Sequence, residues 1–276
     1  MSDSEKCPEI LIVTSCKGGI GKSTVSANLA DALARHGRRV LCVDCDCSNR
    51  SLDLIFGCDG TKVHNIEELV SGASVPEQSA FEVLDASLWF VPGPTKPVTF
   101  TREAFEAAIR NAADYFGCDT VIIDTPGSND TLLPVVASVG GTGIVVASHM
   151  PTSIRGAETT GAQLEALGIE NRYLIINRFD TQKVLKGERQ GINELIDSTH
   201  LSLLGVVPDS DRLELAQENG KLASAMKKDR ECCSAAFREI AARLCGERVP
   251  LLSFYSRWKR KKLVNPNRKK HGGTAW

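Results

Sequence analysis

The stretch Ile10–Thr24 constrains the chain more than any other. A short apolar run, Ile10–Ser15, passes into Cys16-Lys17-Gly18-Gly19-Ile20-Gly21-Lys22-Ser23-Thr24, and Ser23–His36 then carries the 3.6-residue spacing of a helix, with Val25, Leu29, Ala32 and Leu33 on one stripe and Gly37 as its stop. A glycine-rich loop between a buried strand and a helix commits the segment to the first turn of a βα unit. Gly18, Gly19 and Gly21 let the backbone curl so that its N–H groups converge, and the helix adds its positive end. Such a loop cradles phosphate.

The rest of the chain repeats the unit. Val40–Val43, Leu88–Val91, Thr120–Ile123, Gly143–Ala147, Tyr173–Ile176 and Leu203–Val207 read as buried strands, and Arg102–Tyr115, Thr152–Leu167 and Cys232–Leu244 as helices. Alternation of this kind predicts an α/β fold: a doubly wound, mostly parallel sheet with helices on both faces and its ligand beyond the carboxyl ends of the strands. Gly57–Gly60 and Val91–Pro97 read as loops. With 276 residues, 42% hydrophobic and 24% charged, one core can absorb nearly all of the chain.

No apolar run reaches the ~18 residues of a membrane span, and the charged start, Met1 to Glu9, lacks an apolar signal core, so a cytoplasmic protein is expected. The ten cysteines fit a reducing compartment as small buried hydrophobes. Charge is uneven. From Glu247 onward there are nine Lys or Arg and one acid, which leaves 24 basic and 33 acidic residues in 1–246. The chain therefore divides into 1–249, carrying the βα pattern, and a basic tail, 250–276, suited to an anionic partner.

Within the loop, Lys22 is placed to meet the β- and γ-phosphates of a nucleotide and the Ser23 hydroxyl to ligate Mg²⁺. Thr24 closes the string. Two acidic strand ends supply further groups. Val43-Asp44-Cys45-Asp46 puts Asp44 and Asp46 on one face, and Ile123-Asp124-Thr125-Pro126-Gly127-Ser128 places Asp124 after four apolar or β-branched residues. The alternative for Asp124 is a strand-end cap. Asn177, ending another strand, can donate to and accept from a base or serve as a cap.

Lys17 inside the loop gives the deviant Walker A motif, KGGxGK[ST], and the run from Asp44 to Gly57 follows DxDxxxRxLDLxxG. In these motifs the chain resembles the MinD/ParA family of P-loop ATPases, and the resemblance extends to Lys186-Gly187-Glu188 and Glu218-Asn219-Gly220. Cys16 stands where the general phosphate loop has Gly, and Ser51 where MinD chains commonly have Asn. The resemblance implies ATP and Mg²⁺ as ligands. Lys17 would reach the partner's nucleotide in an ATP-dependent homodimer, and Asp46 would position the attacking water. Asp44 and Asp124 would hold the metal through its waters. Gly18, Gly19, Ile20, Gly21, Lys22, Ser23 and Thr24 would hold phosphate, and Asn177, Pro208 and Asp209 would flank the adenine. It further implies slow, assembly-dependent hydrolysis, a division-site role, and MinC-type and MinE-type protein partners.

The tail fits that picture. Leu251, Phe254, Tyr255 and Trp258 follow i, i+3, i+4, i+7, which on a helix from Pro250 to Val264 makes one apolar face opposite Ser253, Ser256, Arg257 and Arg260. Such a helix lies in an anionic membrane surface, weakly alone and more tightly as a pair. The other reading is that these aromatics pack on the body. Residues 265–276 extend the tail with Arg268-Lys269-Lys270.

Three rivals remain at this stage. A ParA-like ATPase would bind DNA non-specifically. A metal- or cluster-handling ATPase would use Cys42, Cys45 and Cys47, spaced C-x2-C-x-C. A scaffold would bind ATP without hydrolysing it.

Overall fold

The computed structural model describes residues 7–47, 50–60, 63–127, 131–226 and 229–266. Among the described residues eight strands form one sheet: β1 (Glu9–Thr14), β2 (Val40–Asp44), β3 (Phe81–Leu84), β4 (Leu88–Val91), β5 (Thr120–Asp124), β6 (Thr142–Ser148), β7 (Arg172–Phe179) and β8 (Ser202–Pro208). Their order is β3-β4-β2-β5-β1-β6-β7-β8. All neighbours run parallel except β3, which pairs antiparallel with β4 at the edge. This is the expected doubly wound fold. Its order reverses at β1, between β5 and β6, where such sheets open a crevice for ligand.

The helices, in chain order, are α1 (Lys22–Arg35), α2 (Ser51–Ile55), α3 (Ile66–Val70), α4 (Pro76–Ser79), α5 (Arg102–Phe116), α6 (Leu133–Ala137), α7 (Pro151–Ala166), α8 (Thr181–Leu185), α9 (Ile192–Asp197), α10 (Asp211–Glu218), α11 (Cys233–Leu244) and α12 (Arg257–Val264). They cover both faces because the strands are apolar on both. Ile10 and Ile12 point into one core layer with α5, α7 and α9, while Leu11 and Val13 point into the other with α1 and α11.

β3 was not expected. Phe81-Glu82-Val83-Leu84 is too short to show a period, and its pairing comes from the β4 edge beside it.

The tail corrects the sequence reading. No helix starts at Pro250: residues 251–254 form turns, 255 is a bend, and α12 begins at Arg257, capped by the Ser256 hydroxyl accepting from the Lys259 N–H. Leu251, Phe254, Tyr255 and Trp258 therefore share no helical face. The first three pack on the core, the Tyr255 hydroxyl donates to the Glu231 carbonyl at 3.1 Å, and only Trp258 stays exposed. Turn formation wins because Leu252 takes a left-handed conformation (φ 54°) and is buried, while Glu239 accepts from both the N–H and the hydroxyl of Ser253. Leu263 is also fully buried. Arg268-Lys269-Lys270 lies outside the described residues.

Candidate nucleotide site

The loop after β1 has the left-handed turns that its glycines permit, at Gly19 (φ 77°) and Gly21 (φ 85°). Gly21 is needed for a second reason. A Cβ there would lie 2.2 Å from Asn177 Nδ2, which donates to the Ile20 carbonyl at 2.9 Å. Asn177 is buried at the end of β7, so β7 clamps the loop from one side. From the other, Gly127 approaches the backbone of Lys17 and Gly18, where a Cβ would lie 3.1 Å from the Gly18 nitrogen.

Asp124 is the hub of the acidic side. β2 and β5 pair in register, which sets Asp44 beside Asp124. The Ser23 hydroxyl donates to one Asp124 oxygen and the Ser26 hydroxyl to the other, each at 2.7 Å. Lys22 Nζ sits 3.0 Å from Asp124 Oδ2 and 3.9 Å from Asp46 Oδ2. It is buried, and its ion pair with Asp124 holds it there. Burial alone would lower the Lys22 pKa, but Asp124, Asp44 and Asp46 outweigh that and raise it. Asp44 is pushed well above the ordinary carboxylate range, first by burial and then by the charge of Asp124. Its Oδ1 accepts from the Asp46 N–H at 2.8 Å.

Three carboxylates around one ammonium suit a second cation. Among the described residues no three His, Cys, Asp or Glu side chains are grouped closely enough to ligate a metal by themselves. Mg²⁺ keeps most of its waters and takes one or two protein oxygens plus phosphate. Ser23 would hold it directly, with Asp44 and Asp124 around its waters.

The sequence thus located Lys22, Ser23, Asp44, Asp46 and Asp124, and the fold brings them together. Lys17 makes no ion pair with them and is exposed. Pro208 and Asp209 lie beside the end of β7, where the Asp209 N–H donates to the Phe179 carbonyl. Ser26 was missed, although it follows Ser23 by one helical turn and so faces the same carboxylate. Ser128 lies outside the described residues.

Cys42 and Cys45 fall in opposite core layers, so the C-x2-C-x-C run does not converge.

A parallel sheet with this loop at its switch point defines the P-loop NTPase class. The ParA family model, described as an iron-transfer P-loop NTPase (NUBPL), matches residues 6–245, and the chain belongs to the ParA/MinD family. Among curated proteins it is 31% identical to the septum site-determining protein MinD of Bacillus subtilis, over 88% of this chain and 91% of that protein. The MinC:MinD cell division complex of Aquifex aeolicus superposes with a TM-score of 0.80 at 26% identity, over 88% of this chain and 98% of that one. The MinD of Pyrococcus horikoshii, solved with Mg-ADP, shares the fold (TM-score 0.71, 22% identity, 86% and 96% covered). Within the family the likeness runs to the MinD cell-division ATPases.

Proposed function

We propose that the chain is a MinD-like ATPase that binds ATP with Mg²⁺, dimerises on it through Lys17, and acts at an anionic membrane surface in placing the division site. The observation that carries the ATPase is the convergence of Lys22, Ser23, Asp44, Asp46 and Asp124 at the switch point of the sheet. Bound Mg²⁺ would supply charge neutralisation at the transferring phosphate. Lys22 leaves the carboxylates for the β- and γ-phosphates, and Asp46 is left to orient water. Exposure of Lys17 supports its reaching a second protomer, so that turnover depends on assembly. The solved MinC:MinD complex of the Aquifex relative favours a MinC-type partner for this chain too, and assembly-dependent turnover leaves room for a MinE-type activator.

Among the described residues no helix is long and apolar enough to cross a membrane. Support for surface association comes from α12. Arg257, Trp258, Lys261 and Lys262, at i, i+1, i+4 and i+5, are its exposed residues. Three cations around one interfacial aromatic fit anionic headgroups without insertion of an apolar helix face.

The test is co-sedimentation of the full chain with phosphatidylglycerol vesicles in ATP and in ADP. ATP-dependent binding is expected, lost in Trp258→Ala/Lys261→Glu/Lys262→Glu. Binding to DNA in place of vesicles would favour the ParA-like reading.

A further inference from the structure

The polar groups described so far serve the phosphate and metal end of a nucleotide. Gln217, on α10, belongs to none of them. It is 7% exposed. Its Oε1 accepts from the Thr24 hydroxyl at 3.1 Å, while its Nε2 is buried and has no hydrogen-bond partner among the described residues. A buried amide donor left unpaired is costly, and folded chains keep few of them. Lys22 Nζ, by contrast, is already ion-paired with Asp124.

Direction distinguishes the two. Ser23 and Ser26 point at Asp124, whereas Thr24, turned about 100° from Ser23 around the helix, points at Gln217. Thr24 also borders Gly21 and Asn177: a Cβ added at Gly21 would be 3.7 Å from Thr24 Cβ. Gln217 thus approaches the loop from the flank away from the carboxylates, where the part of the nucleotide beyond its terminal phosphates must lie. The position is fixed by backbone contact. Gly220 abuts Gly57, leaving no room for a Cβ at 2.7 Å from the Gly57 Cα, which ties α10 to the end of α2.

We propose that Gln217 is a nucleotide-contacting residue, with Nε2 donating to an acceptor on the nucleoside half, a sugar hydroxyl or ring nitrogen. This rests on the nucleotide-binding reading above.

The test is titration of the full chain with ATP, ADP and inorganic tripolyphosphate, with thermal melting of the ligand-free protein alongside. Gln217→Met removes the unpaired donor at similar volume, and the Thr24 hydroxyl, only partly buried, can turn to water. The ligand-free protein should then melt about 2 °C higher, while ATP and ADP bind about tenfold more weakly and tripolyphosphate within about twofold of the parent. Gln217→Glu keeps an acceptor for Thr24 but withdraws the donor, and should lose ATP affinity as well. A residue that merely braced the loop would lower melting temperature and affinity together, which would overturn the assignment. Equal losses for tripolyphosphate and ATP in Gln217→Met, or unchanged ATP affinity in both variants, would also overturn it. A parent chain that binds no nucleotide overturns the reading beneath it as well, and so the two failures are told apart.

Discussion

Lys22 Nζ lies 3.0 Å from Asp124 Oδ2, so the phosphate-binding cation and the metal-side carboxylate neutralise each other inside the protein. The pair is nearly closed to solvent, where removing one partner of an ion pair costs about 3–5 kcal/mol. Lys22→Met should therefore lose nucleotide binding and also melt lower than the parent without ligand. Addition of millimolar Mg²⁺ should recover part of the loss by supplying the missing charge. Thermal melting with and without Mg²⁺ checks this; a variant that melts like the parent would contradict it.

Asp44 has the opposite character. Its carboxyl is forced toward the protonated form by burial and by Asp124, so at neutral pH it strains the ligand-free protein. Asp44→Asn should melt higher without ligand. It should also need more Mg²⁺ for half-maximal hydrolysis. A Mg²⁺ titration of phosphate release measures the second effect.

Lys17 is exposed and makes no ion pair among the described residues, so Lys17→Ala should leave the melting temperature within about 1 °C, as ordinary surface changes do. ATP-dependent dimerisation and turnover should nonetheless fall sharply. Analytical ultracentrifugation in ATP, beside a phosphate-release assay, reads both. A variant that still assembles and hydrolyses at the parental rate would remove Lys17 from the mechanism.

Cys16 and Gly156 form a joint between the loop and α7. A Cβ on Gly156 would lie 2.1 Å from Cys16 Sγ and 2.6 Å from its Cβ. Gly156→Ala should destabilise by about 1–3 kcal/mol through overpacking. Cys16→Gly, which restores the usual residue of a phosphate loop, should suppress that cost. A denaturant double-mutant cycle that shows simple additivity would refute the coupling.

His149 gives the fold an acid-sensitive point. Its ring stacks on Phe179 with centroids 4.5 Å apart, and Nε2 donates to the Gln190 carbonyl at 2.9 Å. Burial first, with the charge of Arg189 behind it, holds its pKa below the ordinary histidine value, against the Gln190 bond, which raises it. A depressed histidine contributes stability above its ordinary pKa of about 6.5, lost as pH falls from there through the folded-state value. Melting temperature should thus drop as pH falls below about 6.5 in the parent, and less in His149→Phe, which keeps the stack.

Much of this was legible in the sequence because it is local. Strand runs such as Leu88–Val91 and the loop from Cys16 to Thr24 specify themselves through burial and backbone freedom. Asp44 and Asp124 could be assigned because a strand end is a position in the fold as well as in the sequence. What escaped depends on partners distant along the chain. β3 exists because β4 offers an edge, and Gln217 matters because α10 folds back 193 residues to meet Thr24. The tail was misread for a related reason. The spacing of Leu251, Phe254, Tyr255 and Trp258 satisfies a helix, but the body provides better contacts for the first three than a helical turn would.

The buried Leu252 and Leu263 bear on how the tail can be studied. Shortening the chain at residue 249 would peel two leucines out of the interior, a loss of about 1.5–3 kcal/mol for each. A trimmed protein that no longer sediments with vesicles could simply be a damaged one. Surface exchanges on Arg257, Trp258, Lys261 and Lys262 leave the interior whole, and only they can separate a lost foothold from a lost fold.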